Sequence, residues 1–146
     1  MQKTILEVDT GGVVERAKQF VREHINEDLN AFRVSNKIGV HKVLTFLRLF
    51  EETTGKRFAD FVKDARVEKA RGLVLNPHYT EAEISLAVGF NNVSTFRRSF
   101  KKIHGESPTS YRKRIPPNLQ RPDWATAQFF LFRFLTLGFD KDLYSC

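Results

Sequence analysis

The stretch TEAEISLAVGFNNVSTFRRSFKKIHGESP, residues 80–108, carries the signals that decide how this chain folds. Thr80 with Glu83 three residues on has the form of a capping box. It predicts a helix running through Ala87 and stopping at Gly89, the residue type best able to take a positive φ. Asn92 is a good N-cap for a second helix. On a 3.6-residue period Val93, Phe96, Phe100 and Ile103 share one face of that helix, while Ser94, Thr95, Arg98, Lys101 and Lys102 lie on or near the opposite one. Gly105 ends it, and Ser107-Pro108 supplies a new N-cap with proline in the first helical position. A short helix, a glycine turn and a longer helix make a helix-turn-helix.

The same pattern stands fifty residues earlier. Residues 34–55 and 84–105 share eight identities in twenty-two positions: Ser35/Ser85, Gly39/Gly89, Val43/Val93, Thr45/Thr95, Phe46/Phe96, Arg48/Arg98, Phe50/Phe100 and Gly55/Gly105. Val34/Ile84 and Ile38/Val88 are conservative pairs in the same frame. Two copies are too few for a solenoid, which needs about three repeats to bury its faces, so they read as a duplicated small module. In the first copy the helical wheel buries Val43, Phe46, Leu49 and Phe50 and turns His41, Leu44, Thr45 and Arg48 outward.

Between the copies, Phe58 to Leu75 reads as one helix with an apolar stripe of Phe58, Phe61, Val62, Ala65, Ala70, Leu73 and Val74, ended by Asn76-Pro77. At 1.5 Å per residue this helix is about 27 Å long, comparable with the roughly 34 Å between successive major-groove turns on one face of DNA. An earlier helix, Val13 to Asn26, puts Val14, Ala17, Val21 and Ile25 on one stripe. The expected fold is all-α, with about seven helices in two homeodomain-like helix-turn-helix units. The boundaries expected are a flexible lead-in at 1–13, a first unit at 14–57, a linker helix at 58–77, a second unit at 78–115 and a Phe-rich tail at 116–146.

Of 146 residues, 24 are Lys or Arg and 17 are Asp or Glu, and the surplus is concentrated. Residues 1–54 hold eight basic and eight acidic side chains, 55–90 hold six and five, 91–115 hold seven and one, and 116–146 hold three and three. Six of the seven net charges thus fall in twenty-five residues, the electrostatic footprint of a nucleic-acid contact. A mean hydropathy of -0.37 with 12% aromatic residues excludes a disordered chain. The single cysteine, Cys146, excludes a disulfide framework and predicts a reducing compartment. Trp124 to Phe139, broken by Gln128 and Arg133, is too short to span a bilayer, and residues around Glu7 and Asp9 lack the apolar core of a signal peptide. The expectation is a soluble, cytoplasmic protein without a membrane partner. His24, His41, His78 and His104 have no zinc-ligand spacing, Thr10-Gly11-Gly12 lacks the lysine of a phosphate loop, and no nucleophile stands with a base. No metal, no cofactor and no enzymatic activity are expected.

Residues 14–115, about seventy percent of the chain, resemble the C-terminal DNA-binding domain of AraC/XylS-type bacterial transcription regulators. Thr54-Gly55, Phe58-Ala-Asp-Phe61 and Arg66-Val67-Glu68-Lys69-Ala70 carry the match in and before the linker. Glu83-Ile84, Val88-Gly89-Phe90, Ser94, Phe96, Arg98, Phe100-Lys101, Gly105, Ser107-Pro108 and Tyr111-Arg112 carry it beyond. The resemblance implies a transcription factor that inserts two recognition helices into adjacent major-groove segments of double-stranded promoter DNA, often as an activator touching RNA polymerase. It implies DNA contact for Asn91, Asn92, Val93, Ser94, Thr95 and Arg98, with His41, Leu44, Thr45 and Arg48 as counterparts. Arg98 and Arg48 suit a bidentate contact to guanine or a phosphate clamp, and Asn92 suits an N-cap better than a base contact. Lys101, Lys102, Arg112, Lys113 and Arg114 suit phosphates.

The chain departs from the family's pattern in three ways. Gly39 to Phe50 is one residue longer than usual, which would rotate whatever follows by about 100°. Leu44 stands where the second unit has Ser94, and Glu51-Glu52 where it has Lys101-Lys102. A sensor domain is expected to be absent, making this either a short sensorless member or a piece of a longer regulator. The rival reading is a truncated, non-DNA-binding protein that modulates another regulator or polymerase through the Leu44 face and the tail. The tail has three open roles: covering a core face, binding a partner, or acting as an aggregation-prone extension.

Overall fold

Asp9 starts the first helix earlier than the apolar pattern predicts. In the computed structural model, which describes residues 9–116, its carboxylate accepts a hydrogen bond from the Gly12 amide at 3.0 Å and caps helix α1, Thr10–Glu23. Thr10, Gly11 and Gly12 are therefore helical and Val13 is buried, which corrects the end of the expected flexible lead-in; residues 1–8 lie outside the described part. Helix α1 stops at Glu23 rather than Asn26, and the His24 ring stacks on Phe20 at 4.1 Å.

Six more helices follow: α2 Ala31–Lys37, α3 Val43–Thr54, α4 Phe58–Val74, α5 Glu81–Ala87, α6 Val93–His104 and α7 Pro108–Arg114. The described chain is thus all-α with seven helices. It divides into two units inside α4, one ending at Arg66 and the other starting at Val67. The apolar residues of α4, read from sequence as a single stripe, are shared between two cores. Phe58 and Val62 pack with Val14, Ala17, Val21, Val34, Phe46 and Phe50. Val67, Ala70, Leu73 and Val74 pack with Ile84, Val88, Phe90, Phe96 and Phe100. What was expected to be a separate linker segment therefore supplies part of each unit's interior, because a helix buries an apolar side only where it has a neighbour to bury it against.

The fifty-residue repeat is also a repeat of structure. Helices α2 and α5 begin and end fifty residues apart, as do α3 and α6. In each unit the turn between them is made the same way. Gly39 and Gly89 take φ of 85° and 90°, a left-handed conformation that costs a residue with a Cβ about 1 kcal/mol or more. One residue on, the Val40 amide donates to the Ser35 carbonyl at 2.8 Å and the Phe90 amide to the Ser85 carbonyl at 2.9 Å. Ser35 and Ser85 are both buried under this turn. Paired phenylalanines one helical turn apart fill each core, Phe46 with Phe50 and Phe96 with Phe100, at ring separations of 5.9 and 5.8 Å. The Phe-rich tail lies, beyond Pro116, outside the described residues.

Candidate nucleic-acid interface

Helix α6 is built from both ends by local hydrogen bonds. The Asn92 side chain accepts from the Thr95 amide at 2.7 Å, and the Gly105 amide, at φ 78°, closes the helix on the Lys101 carbonyl at 2.8 Å. Phe96 and Phe100 anchor one side in the core, so the other side is held outward. Asn91, Ser94, Arg98, Lys101 and Lys102 are exposed there, and Val93 and Thr95 are half-buried at the edge of the core. The Asn92 oxygen is occupied by its cap, in keeping with the role its sequence position predicts. Arg98 forms no ion pair among the described residues, and its hydrogen bond to Thr95 Oγ1 is long, at 3.5 Å. Arg97, Arg98, Lys101 and Lys102 stand on α6 with no acidic residue in the helix. Lys101 and Lys102 occupy the last turn, where cations complement the helix dipole.

The orientation of α6 against its neighbours rests on a tie that the sequence pattern does not reveal. Glu81, at the start of α5, accepts hydrogen bonds from Arg97 Nε of α6 and from Thr109 Oγ1 of α7. Burial alone would raise the Glu81 carboxyl, but these two hydrogen bonds and the positive charges of Arg97 and Arg112 outweigh it and hold it below its ordinary value. Glu81, Arg97 and Thr109 were not among the sequence candidates. They are 16 and 28 residues apart, beyond the reach of any helical periodicity.

Arg112 needs a correction. Rather than standing clear for a phosphate, its half-buried guanidinium donates from Nε to the Val74 carbonyl at 2.6 Å and from Nη2 to the Tyr79 carbonyl at 2.7 Å. These carbonyls close the connection from α4 to α5, and a buried carbonyl left unpaired is costly, so Arg112 serves the fold. Arg66 does the same in the first unit, donating to the carbonyls of Ile25 at 3.1 Å and Glu27 at 2.7 Å. Lys113 is exposed. Arg114 pairs with Glu106 at 2.7 Å and lies over the Tyr111 ring.

Helix α3 holds its side chains in the same register. Phe46 and Phe50 are fully buried and His41, Leu44, Thr45 and Arg48 are exposed, so the extra residue after Gly39 leaves the outward face where the second unit has it. The chemistry of that face is different. Lys42 occupies the N-cap position without a side-chain cap, and Leu44 is 78% exposed. Arg48 Nε donates to Glu52 Oε1 at 2.8 Å, which raises the guanidinium above its ordinary value, and Glu51 is exposed beside them. Among the described residues no cluster of three His, Cys, Asp or Glu side chains comes together, and no helix is long and apolar enough to cross a membrane.

Comparison with known proteins places this geometry. The model of the family described as Helix-turn-helix domain matches residues 41–114. The Msm operon regulatory protein of Streptococcus mutans is 26% identical over 109 residues, which are 75% of this chain and 39% of that protein. The chain thus spans well under half of that relative's length. The transposon Tn10 TetD protein of Escherichia coli is 30% identical over 101 residues, 69% of this chain and 72% of that protein. The crystal structure of a transcriptional regulator described as having an AraC-type DNA-binding domain, from Chromobacterium violaceum, superposes with a TM-score of 0.66 at 21% identity, over 71% of this chain and 92% of that one. With the family model spanning half of its length and a relative 30% identical over two thirds of both chains, the protein belongs to the AraC-type helix-turn-helix family.

Proposed function

We propose that this chain is the DNA-reading part of a transcription regulator and that each unit offers its outward helix, α3 or α6, to a major-groove segment of promoter DNA. The observation that carries the proposal is the outward side of α6: Ser94, Arg98, Lys101 and Lys102 exposed on a helix fixed by a buried phenylalanine pair, with no acidic residue in the helix. Ser94 and Arg98 have the chemistry of base-edge contacts, while Lys101 and Lys102 have that of phosphate contacts. The names of the relatives support the regulatory half of the reading. On this reading the protein works in the bacterial cytoplasm, where promoter DNA and RNA polymerase meet, and RNA polymerase is its proposed protein partner.

The test is selection of bound sites from a random duplex pool, followed by titration of the enriched duplex at several salt concentrations. With Arg112 withdrawn and Arg98 assigned to a base edge, Lys101, Lys102, Lys113 and Arg114 remain for phosphates in the second unit, so the log-log salt slope from that unit should be about -3.6. An enriched motif with two informative blocks centred about ten base pairs apart supports two reading helices. Duplex binding without salt dependence, or none at all, favours the rival adaptor role instead.

A further inference from the structure

We infer that Leu44 makes the first unit a reader of thymine, through the 5-methyl group that base displays in the major groove. The inference rests on the DNA-reading role proposed above and names the chemistry one of its helices would recognise. Leu44 is 78% exposed and has no part in the first core. An exposed leucine is ordinary on a protein surface, so exposure alone says little. Position gives it meaning. Among the described residues, the other two large apolar side chains this exposed are Phe32 at 65% and Leu86 at 60%, and they sit on the short helices α2 and α5. Leu44 instead lies in the first turn of α3, on its outward face, between His41 and Arg48.

Its structural counterpart, fifty residues on, is Ser94, also exposed. The fold accepts a hydroxyl at this point of one unit and an isobutyl group at the same point of the other, so packing dictates neither. The two side chains ask for different partners. Serine can donate to or accept from any base edge, whereas leucine has neither donor nor acceptor. Of the groups on the major-groove floor, only the thymine methyl matches it; a carbonyl or amino group covered by leucine would lose water and gain no hydrogen bond. Charge favours duplex DNA as the occupant at the start of α3, where Lys42 stands two residues before Leu44 and no acidic side chain lies between Leu29 and Phe50; further along the same face Arg48 is paired with Glu52.

The test uses the full chain and its selected duplex, with each thymine of the first unit's block replaced in turn by deoxyuridine. Deoxyuridine pairs identically and lacks only the methyl group. At one or two positions the wild-type protein should bind about four-fold more weakly, the equivalent of roughly one buried methylene group. Leu44→Ser should bind the thymine and deoxyuridine duplexes equally, because it has lost the group that met the methyl. Since Leu44 is exposed, this variant should keep its fold, and the wild-type comparison needs no variant at all. A selected site whose affinity ignores every deoxyuridine, or a Leu44→Ser protein as sensitive as the wild type, overturns the thymine inference and leaves the DNA-reading role standing. Absence of any enriched site overturns both.

Discussion

Helices α3 and α6 are the same length, start at Val43 and Val93, end at left-handed Gly55 and Gly105, and bury phenylalanines at the same two positions. Their outward sides share Thr45 and Thr95, Arg48 and Arg98, and little else. One carries Leu44, Glu51 and Glu52 and pairs its arginine with Glu52; the other carries Ser94, Lys101 and Lys102 and leaves Arg98 without an ion pair among the described residues. A duplicated scaffold is held by what faces inward, where a change of one side chain leaves a void or a clash. Outward positions answer to no such demand, so their chemistry is free to diverge.

The largest expected effects test the inward half of this comparison. Phe50→Ala and Phe100→Ala should each cost about 3–5 kcal/mol in urea unfolding, since both rings are fully buried against other aromatics. Near-equal losses would show the two cores to be equivalent, and a small loss from one alone would break the equivalence. Next comes the outward half. Arg98→Ala should weaken binding to the selected duplex by about 1–3 kcal/mol, and Arg48→Ala by clearly less, because Glu52 already engages the Arg48 guanidinium. An equal or larger loss from Arg48→Ala would reverse the ranking of the units.

The helix starts offer a smaller contrast. Asn92→Ala should destabilise the second unit by about 1 kcal/mol, and Lys42→Asn, which gives α3 the cap it lacks, should stabilise the first by up to a similar amount in thermal unfolding. The smallest effect concerns acid. The Glu81 carboxyl lies below its ordinary value of 4.5 when folded, so its contribution is complete above that value and fades as the pH falls through the lowered one. Ala31, Leu47 and Ala59 stand at the corresponding first-unit positions, so that unit has no equivalent tie. Urea midpoints followed from neutral pH into the carboxylate range should show part of the wild-type acid loss missing in Glu81→Gln.

Much of the candidate site was legible beforehand because its signals are local. The capping box at Thr80 and Glu83, the caps at Asn92 and Ser107, the turn glycines and the alternation of phenylalanine with polar residues all act within four positions, which is the range over which a helix connects one residue to the next. The same locality explains why the register of α3 survived its extra residue: Phe46 and Phe50 follow Gly39 at the spacing with which Phe96 and Phe100 follow Gly89.

The sequence by itself therefore determined the number of helices in the described chain, the ends of α6, the repeat and which sides of α3 and α6 turn outward, while both ends of α1 fell away from where the apolar pattern put them. Tertiary structure decided what no local period encodes. It withdrew Arg112 from the surface to bind carbonyls 33 and 38 residues away, and set Arg66 on carbonyls 39 and 41 residues away. It also divided α4 between two cores and joined Glu81 to Arg97 and Thr109. An arginine looks alike in sequence whether it meets solvent, phosphate or a carbonyl. Only folding brings an unpaired carbonyl within its reach, and the cost of leaving that carbonyl without a partner selects the arginine's role.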